Sequence, residues 1–371
     1  IRIHEVKIQG PHYENWPPSP QELVFGEGDF DAEHREKILE KFASRAYRRK
    51  PTGEELERLL RVAEIRMKKG HFPRQATMDA IKTSLCSPSF LYLSEAKGKA
   101  GDKLGNHDLA SRLSYFLWAS MPDPHLRKLA DSGTLSQPKI LAGELERLLN
   151  DPQSNAFYEG FLDSWLNLRA LGGMPPERSA SAPYFYHDLE RAMKREVQEF
   201  TRNLVEENGS ILNFINSDYT YLNHRLALLY GEPFNFPISE RHQFHRVNLK
   251  SPRRGGLLGM GAVLTVSANG IETSPVVRGV YVLENILGTP TPPPPDVVPA
   301  LETDTRGTKT IRDELKKHRE MTTCAECHRQ IDPIGFALEN FDPIGRWRTN
   351  YPGSKKKKGP TIDSSGAFPD G

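Results

Sequence analysis

The run Cys324-Ala325-Glu326-Cys327-His328 sets two thiols three residues apart and an imidazole directly after them. With that spacing each cysteine can form a thioether to a vinyl group at a porphyrin edge, while the histidine offers a ring nitrogen to the iron. One covalent haem c is therefore expected, attached through Cys324 and Cys327 with His328 as the fifth ligand. A redox dithiol or half of a zinc site would share the Cys-x-x-Cys pattern. Zinc needs further soft ligands, yet the remaining cysteine, Cys86, lies far upstream. A dithiol of the thioredoxin kind needs a βαβ context that this region lacks.

A sixth protein ligand has to come from upstream or from a segment beyond Gly371, because neither methionine nor histidine follows His328 through Gly371. His318, at the end of an expected helix, is the first candidate. Met260, in the small-residue segment Gly259-Met260-Gly261, is the second, and an open or water-bound position is the third. Met321 sits too close to Cys324 to reach the far face. Asp332-Pro333-Ile334-Gly335 and Asp342-Pro343-Ile344-Gly345 form a near-repeat downstream. Pro333 or a neighbour could receive the second ring nitrogen of His328 and fix its orientation. Equally, both could be Asx-Pro turns around a short helix. Arg346, Trp347 and Arg348 carry donors that haem propionates would need, or they belong to the surface.

Most of the chain must serve to position this motif. Its 371 residues allow two or three domains, and a formal charge of +2 gives no global field for nucleic acid or an anionic membrane. No apolar run approaches the roughly 18 residues that cross a bilayer. Three cysteines argue against a disulfide scaffold, with Cys86 read as a buried free thiol. Ile1 to Ile8 alternates like a half-buried strand, read as the remnant of a missing β-domain with no export signal. Helical stripes then dominate. Asp31 is expected to cap the first helix, with Ile38, Leu39, Phe42 and Ala46 inward. Thr52-Gly53-Glu54-Glu55 reads as a capping box before Leu56, Leu59, Leu60 and Ala63. Further stripes fall on Leu109, Leu113, Phe116 and Leu117, and on Leu141, Leu145, Leu148 and Leu149. Others are Phe157, Phe161, Trp165 and Leu168, and Leu189, Met193, Val197, Phe200 and Leu204. Proline-rich 289–295 reads as an extended strap, and Lys355 to Lys358 as a solvated loop or a basic steering patch. His242 and His245 read as loop residues before they read as a metal site. The expected fold is mainly α: a multi-domain helical body with a C-terminal single-haem cytochrome domain. The expected divisions are 1–28, 29–97, 98–235 and 236–371.

The motif together with Ile331-Asp332-Pro333-Ile334-Gly335-Phe336 and Gly345-Arg346-Trp347-Arg348 resembles the planctomycete-type cytochrome c domain of large secreted multidomain proteins. Thr273 to Gly279 resembles the start of the same domain. Asn216 to Asn223 and Leu109 to Trp118 are similar to the family's central helical domain, and 30–95 to its smaller one. The resemblance implies a β-sandwich before the helices and a further domain entered at Asp363-Ser364-Ser365-Gly366. It supplies no established reaction. Three functions follow as expectations: extracytoplasmic electron transfer, periplasmic or at the cell surface, with a redox partner protein that could be acidic; a haem peroxidase or oxygenase with an extracellular substrate; and a scaffold binding polysaccharide or a partner, its haem an accessory.

Overall fold

The computed structural model describes residues 24–25, 30–93, 95, 103–173, 175–178, 181–186, 188–233, 235–270, 272–291, 310–318, 322–353 and 358–367. The expected strand at Ile1, the proline strap beyond residue 291, Met321 and Lys355 to Lys357 lie outside these residues. What is described is mainly α, with a single two-stranded ribbon. The chain forms two compact units, 1–157 and 158–371.

In the first unit α1 (Arg35–Ala46), α2 (Gly53–Lys68) and α3 (Pro73–Leu85) close on Leu39, Ala43, Leu59, Ala63, Ala76 and Ile81. α2 begins at the expected capping box: Thr52 accepts from the Glu55 amide, and the Glu55 carboxylate returns to the Thr52 amide at 2.7 Å. α1 starts later than expected. Its N-cap is His34, while Asp31 accepts from the Glu33 amide and faces the His34 ring, so Asp31 closes a turn before the helix. Cys86, at the end of α3, is exposed and not buried, because the helix ends as the chain leaves the core.

The second core of this unit joins α4 (Asn106–Trp118), α5 (Pro124–Asp131) and α6 (Pro138–Asn150) around Ala110, Leu117, Trp118, Leu126, Leu135 and Leu148. On α4 the buried face is Ala110, Ser114, Leu117 and Trp118, while Phe116 is 61% exposed. The Trp118 indole N–H, bonded to the Leu148 carbonyl at 2.9 Å, fixes that rotation. On α6, Leu145 faces outward and Glu144 is buried, bonded to Arg147 and His125.

In the second unit α7 (Asn155–Trp165), whose first residues belong to the first, buries Tyr158 and Leu162 and leaves Phe161 half-exposed. On the helix the expected stripe is thus one position out of phase, while Leu168, just beyond it, is buried as expected. α8 (Leu189–Glu206) buries Leu189, Met193, Val197, Phe200 and Leu204 as its spacing requires. It packs on the ribbon of β1 (Tyr219–Leu222) and β2 (His245–Asn248), paired antiparallel with Tyr219 opposite Asn248. After α9 (His224–Tyr230) and α10 (Gly261–Val266), α11 (Pro275–Tyr281) runs into a π-turn at Val282–Ile286. α12 (Ile311–His318) precedes α13 (Thr322–Phe336), the helix that carries the cysteines.

α11 and α13 cross at very close range. A side chain at Gly279 would strike the Ile331 carbonyl, and one at Gly335 would strike that of Pro275. The apolar cluster at this crossing comprises Val282, Leu283, Ile331 and Ile334, with Leu258, Val276, Val280 and Cys327 packed against it.

Candidate haem site

On α13 His328 and Asp332 are four residues apart, the step that stacks side chains on one helix face, and Cys327 directly precedes His328. Cys327 is a free thiol, half-buried against the α11 cluster. His328 is 16% exposed, and its Nδ1 lies 2.8 Å from Oδ1 of Asp332, which is fully buried. The neighbour that receives the second ring nitrogen is therefore the carboxylate. Pro333 instead lies inside the helix, and its carbonyl accepts from the Ala337 amide. A carboxylate at Nδ1 favours the proton on that nitrogen, so Nε2 is the nitrogen through which such a ring would ligate a metal.

The two Asp-Pro segments take different conformations. Asp332-Pro333 continues a helix. Asp342 makes a turn, its Oδ1 accepting from the amides of Ile344 and Arg346, with Gly345 at φ +79°. Arg346 bonds back to Asp342 at 2.6 Å and keeps 39% of its side chain exposed. Trp347 packs edge-on to Phe341 at 5.2 Å. Arg348 donates to Thr273 Oγ1 at 2.6 Å and to the buried Glu339 carboxylate at 3.3 Å. Of the arginines expected to meet propionates, Arg348 is thus committed to an internal network, while Arg346 retains solvent access.

Arg278 completes that network. It is fully buried, donates to the carbonyls of Leu338 (2.7 Å), Phe341 (2.7 Å) and Asp342 (3.0 Å), and lies 3.6 Å from Glu339. Burial pulls its guanidinium down to about 10. The sequence reading did not foresee this residue, since an arginine destined for a core has no local signature.

Of the candidate sixth ligands, His318 ends α12, its side chain outside the described residues. Met260 is 2% exposed and lines a small cavity with Glu196, Thr220, Tyr230 and Arg254. There the Tyr230 hydroxyl donates to Glu196 at 2.5 Å and accepts from the Gly261 amide, while Thr220 donates to Glu196 at 2.8 Å. Arg254 lies 3.7 Å above the Tyr230 ring. Burial raises the Glu196 carboxyl to about 7 against the pull of these donors. His245 stacks on Phe236 and faces Glu240, whereas His242 borders an open polar groove with Asp163, Glu190, Lys194 and Arg225. Among the described residues, no group of three or more His, Cys, Asp or Glu side chains is arranged to hold a metal ion. No helix among them is long and apolar enough to cross a membrane.

Three family models match this chain. PSD5, a protein of unknown function (DUF1595), matches 34–95, PSD4 (DUF1592, likewise of unknown function) matches 104–231, and PSCyt3 (DUF1588, also of unknown function) matches 254–351. These are planctomycete-type cytochrome c-associated domains. The PSCyt3 match contains Cys324 to His328 together with Arg278, Asp332 and Glu339. No curated protein matches the chain, and no solved structure does.

Proposed function

We propose that this chain is an extracytoplasmic c-type cytochrome that carries one covalent haem on a large helical scaffold and transfers electrons. The observation that carries the reading is the His328–Asp332 pair on the helix that bears Cys324 and Cys327. The donor chemistry fits a haem iron: Nδ1 faces a carboxylate, Nε2 is the nitrogen that would coordinate, and both cysteines lie on the same helix as the ring. The PSCyt3 match over this region supports it. Bound there, the group would supply a one-electron iron couple. The chain's own part is to anchor the porphyrin edge through Cys324 and Cys327, and to orient the imidazole through Asp332. Arg346 is the residue we assign to a propionate. His318 and Met260 remain the protein candidates for the sixth position, with Met260 facing the Glu196 cavity.

Thioether attachment to haem takes place outside the cytoplasm in bacteria, so a covalent haem supports a periplasmic or cell-surface location. Its partner is a redox protein, and Lys355 to Lys358 would steer an acidic one. The alternative of a haem peroxidase or oxygenase is favoured by one observation: a carboxylate partner makes the axial imidazole a stronger donor. A role in binding polysaccharide rests on the open polar groove around His242. Haem staining after denaturing electrophoresis tests the proposal. Colour should stay with the chain, and should be lost when Cys324 and Cys327 are both changed to Ala. Colour that acidified acetone extracts completely from the mature protein would refute covalent attachment. Spectra of the oxidised and reduced protein then separate the readings, a six-coordinate low-spin iron favouring electron transfer over chemistry at an open face.

A further inference from the structure

Building on a covalent haem at His328, we infer that Asp332 sets the electron-donating strength of the axial histidine and so poises the iron as a low-potential donor. The 2.8 Å contact to Nδ1 comes from a side chain with no solvent exposure. A fully charged acceptor makes a hydrogen bond roughly twice as strong as a neutral one. A backbone carbonyl at this place would orient the ring equally well but bring no net charge. The helix makes the contact a fixed one. Asp332 sits one turn after His328, and the next turn is locked by the approach of Gly335 to the Pro275 carbonyl.

Energetics point the same way. Burying a carboxylate costs several kcal/mol unless a positive partner offsets it. A neutral imidazole is a weak partner. An imidazole whose Nε2 binds a cation carries much of that charge to its N–H, so the pair becomes favourable when the metal is held. The oxidised iron gains more from this than the reduced iron does, and the potential falls. The protein feeding this haem must then be more strongly reducing, and its acceptor has a wide choice of higher-potential couples.

Asp332→Asn is the test, since it keeps shape and an acceptor oxygen while removing the charge. Both proteins are held at the applied potential where the wild-type haem is half reduced. The reduced-to-oxidised ratio of the variant should rise at least tenfold, equivalent to about 59 mV for a one-electron couple. The iron–histidine stretch in the resonance Raman spectrum of the ferrous, five-coordinate form should move to lower wavenumber. A variant with intact covalent haem and the wild-type ratio would overturn the inference, because a residue that merely supports the fold would change stability alone. If the variant yields no holoprotein, nitrogen-15 NMR of histidine-labelled wild type decides. The His328 Nδ1 proton should exchange slowly and resonate as a strongly hydrogen-bonded one, and a solvent-like, fast-exchanging proton would overturn the assignment. Wild-type protein lacking covalent haem would instead refute the proposed function, and haem staining shows this before either measurement.

Discussion

The guanidinium of Arg278 holds together the loop that follows α13, by donating to the carbonyls of Leu338, Phe341 and Asp342. Arg278→Met would leave those carbonyls without that donor and take one of the two arginines away from the buried Glu339 carboxylate, leaving Arg348 and Thr273 beside it. Loss of one partner from a buried pair costs about 3–5 kcal/mol, and urea unfolding should show a loss of that size. Arg348→Met should cost less, since Thr273 still donates to Glu339 at 2.8 Å. Residue by residue, the sequence discloses the site unevenly. The expectation at the two cysteines and His328 comes from a chemistry that demands a fixed spacing. Asp332 was legible in principle, as an acid one helical turn beyond His328. Pro333 obscured it, since a proline suggests a turn and here it sits within a helix. Arg348 reads as a surface donor until its partners, Glu339 and Thr273, fold around it.

Among the elements, the α11–α13 crossing depends on residues with no side chain. Gly335→Ala would drive a methyl group into the Pro275 carbonyl. Overpacking of this kind costs about 1–3 kcal/mol, and backbone against backbone belongs at the upper end. The thermal midpoint should fall accordingly, and any haem spectrum should broaden as α13 shifts. In the first unit, Thr52→Ala removes one half of the capping box of α2 and should cost about 1 kcal/mol by chemical denaturation. The capping box and the inward face of α8 were legible because each is decided within a few residues. The faces of α4 and α7 were not, since Ser114 and Tyr158 enter the core while Phe116 and Phe161 stay outside. Tertiary bonds such as Trp118 to Leu148 choose between adjacent phases that hydrophobicity alone leaves nearly equal.

For the molecule as a whole, two glutamates give the two units opposite responses to acid. In the first unit Arg49 holds the Glu55 carboxyl down to about 2, helped by Ser89 and the Thr52 amide. That stability is present above about pH 4.5 and is lost as pH falls toward 2. Because Arg49 is 39% exposed, solvent screening limits it to about 1–2 kcal/mol. In the second unit Glu196 is raised to about 7. Its folded form binds the proton more tightly than the unfolded chain, so stability is fullest below about pH 4.5 and declines as pH rises through 7. A shift of that size is worth about 3 kcal/mol. Calorimetry from pH 3 to 8 should show one transition rising in temperature while the other falls. Glu196→Gln should flatten the falling one, and equal slopes for that variant and wild type would refute the assignment to Glu196.

Cys327 lies against the cluster of Val282, Leu283, Ile331 and Ile334 that forms only when α13 meets α11. Partners so far apart in the chain meet late, after the entropy of closing a long loop has been overcome. If the proposed haem is attached there, whatever machinery loads it would reach Cys327 most freely while α13 is still undocked. Under that proposal loading becomes a step in the order of folding, and a chain that docks first leaves Cys327 half-buried. Under the same proposal, variants that weaken the crossing, Gly335→Ala among them, would lose stability once folded and yet accept haem for longer.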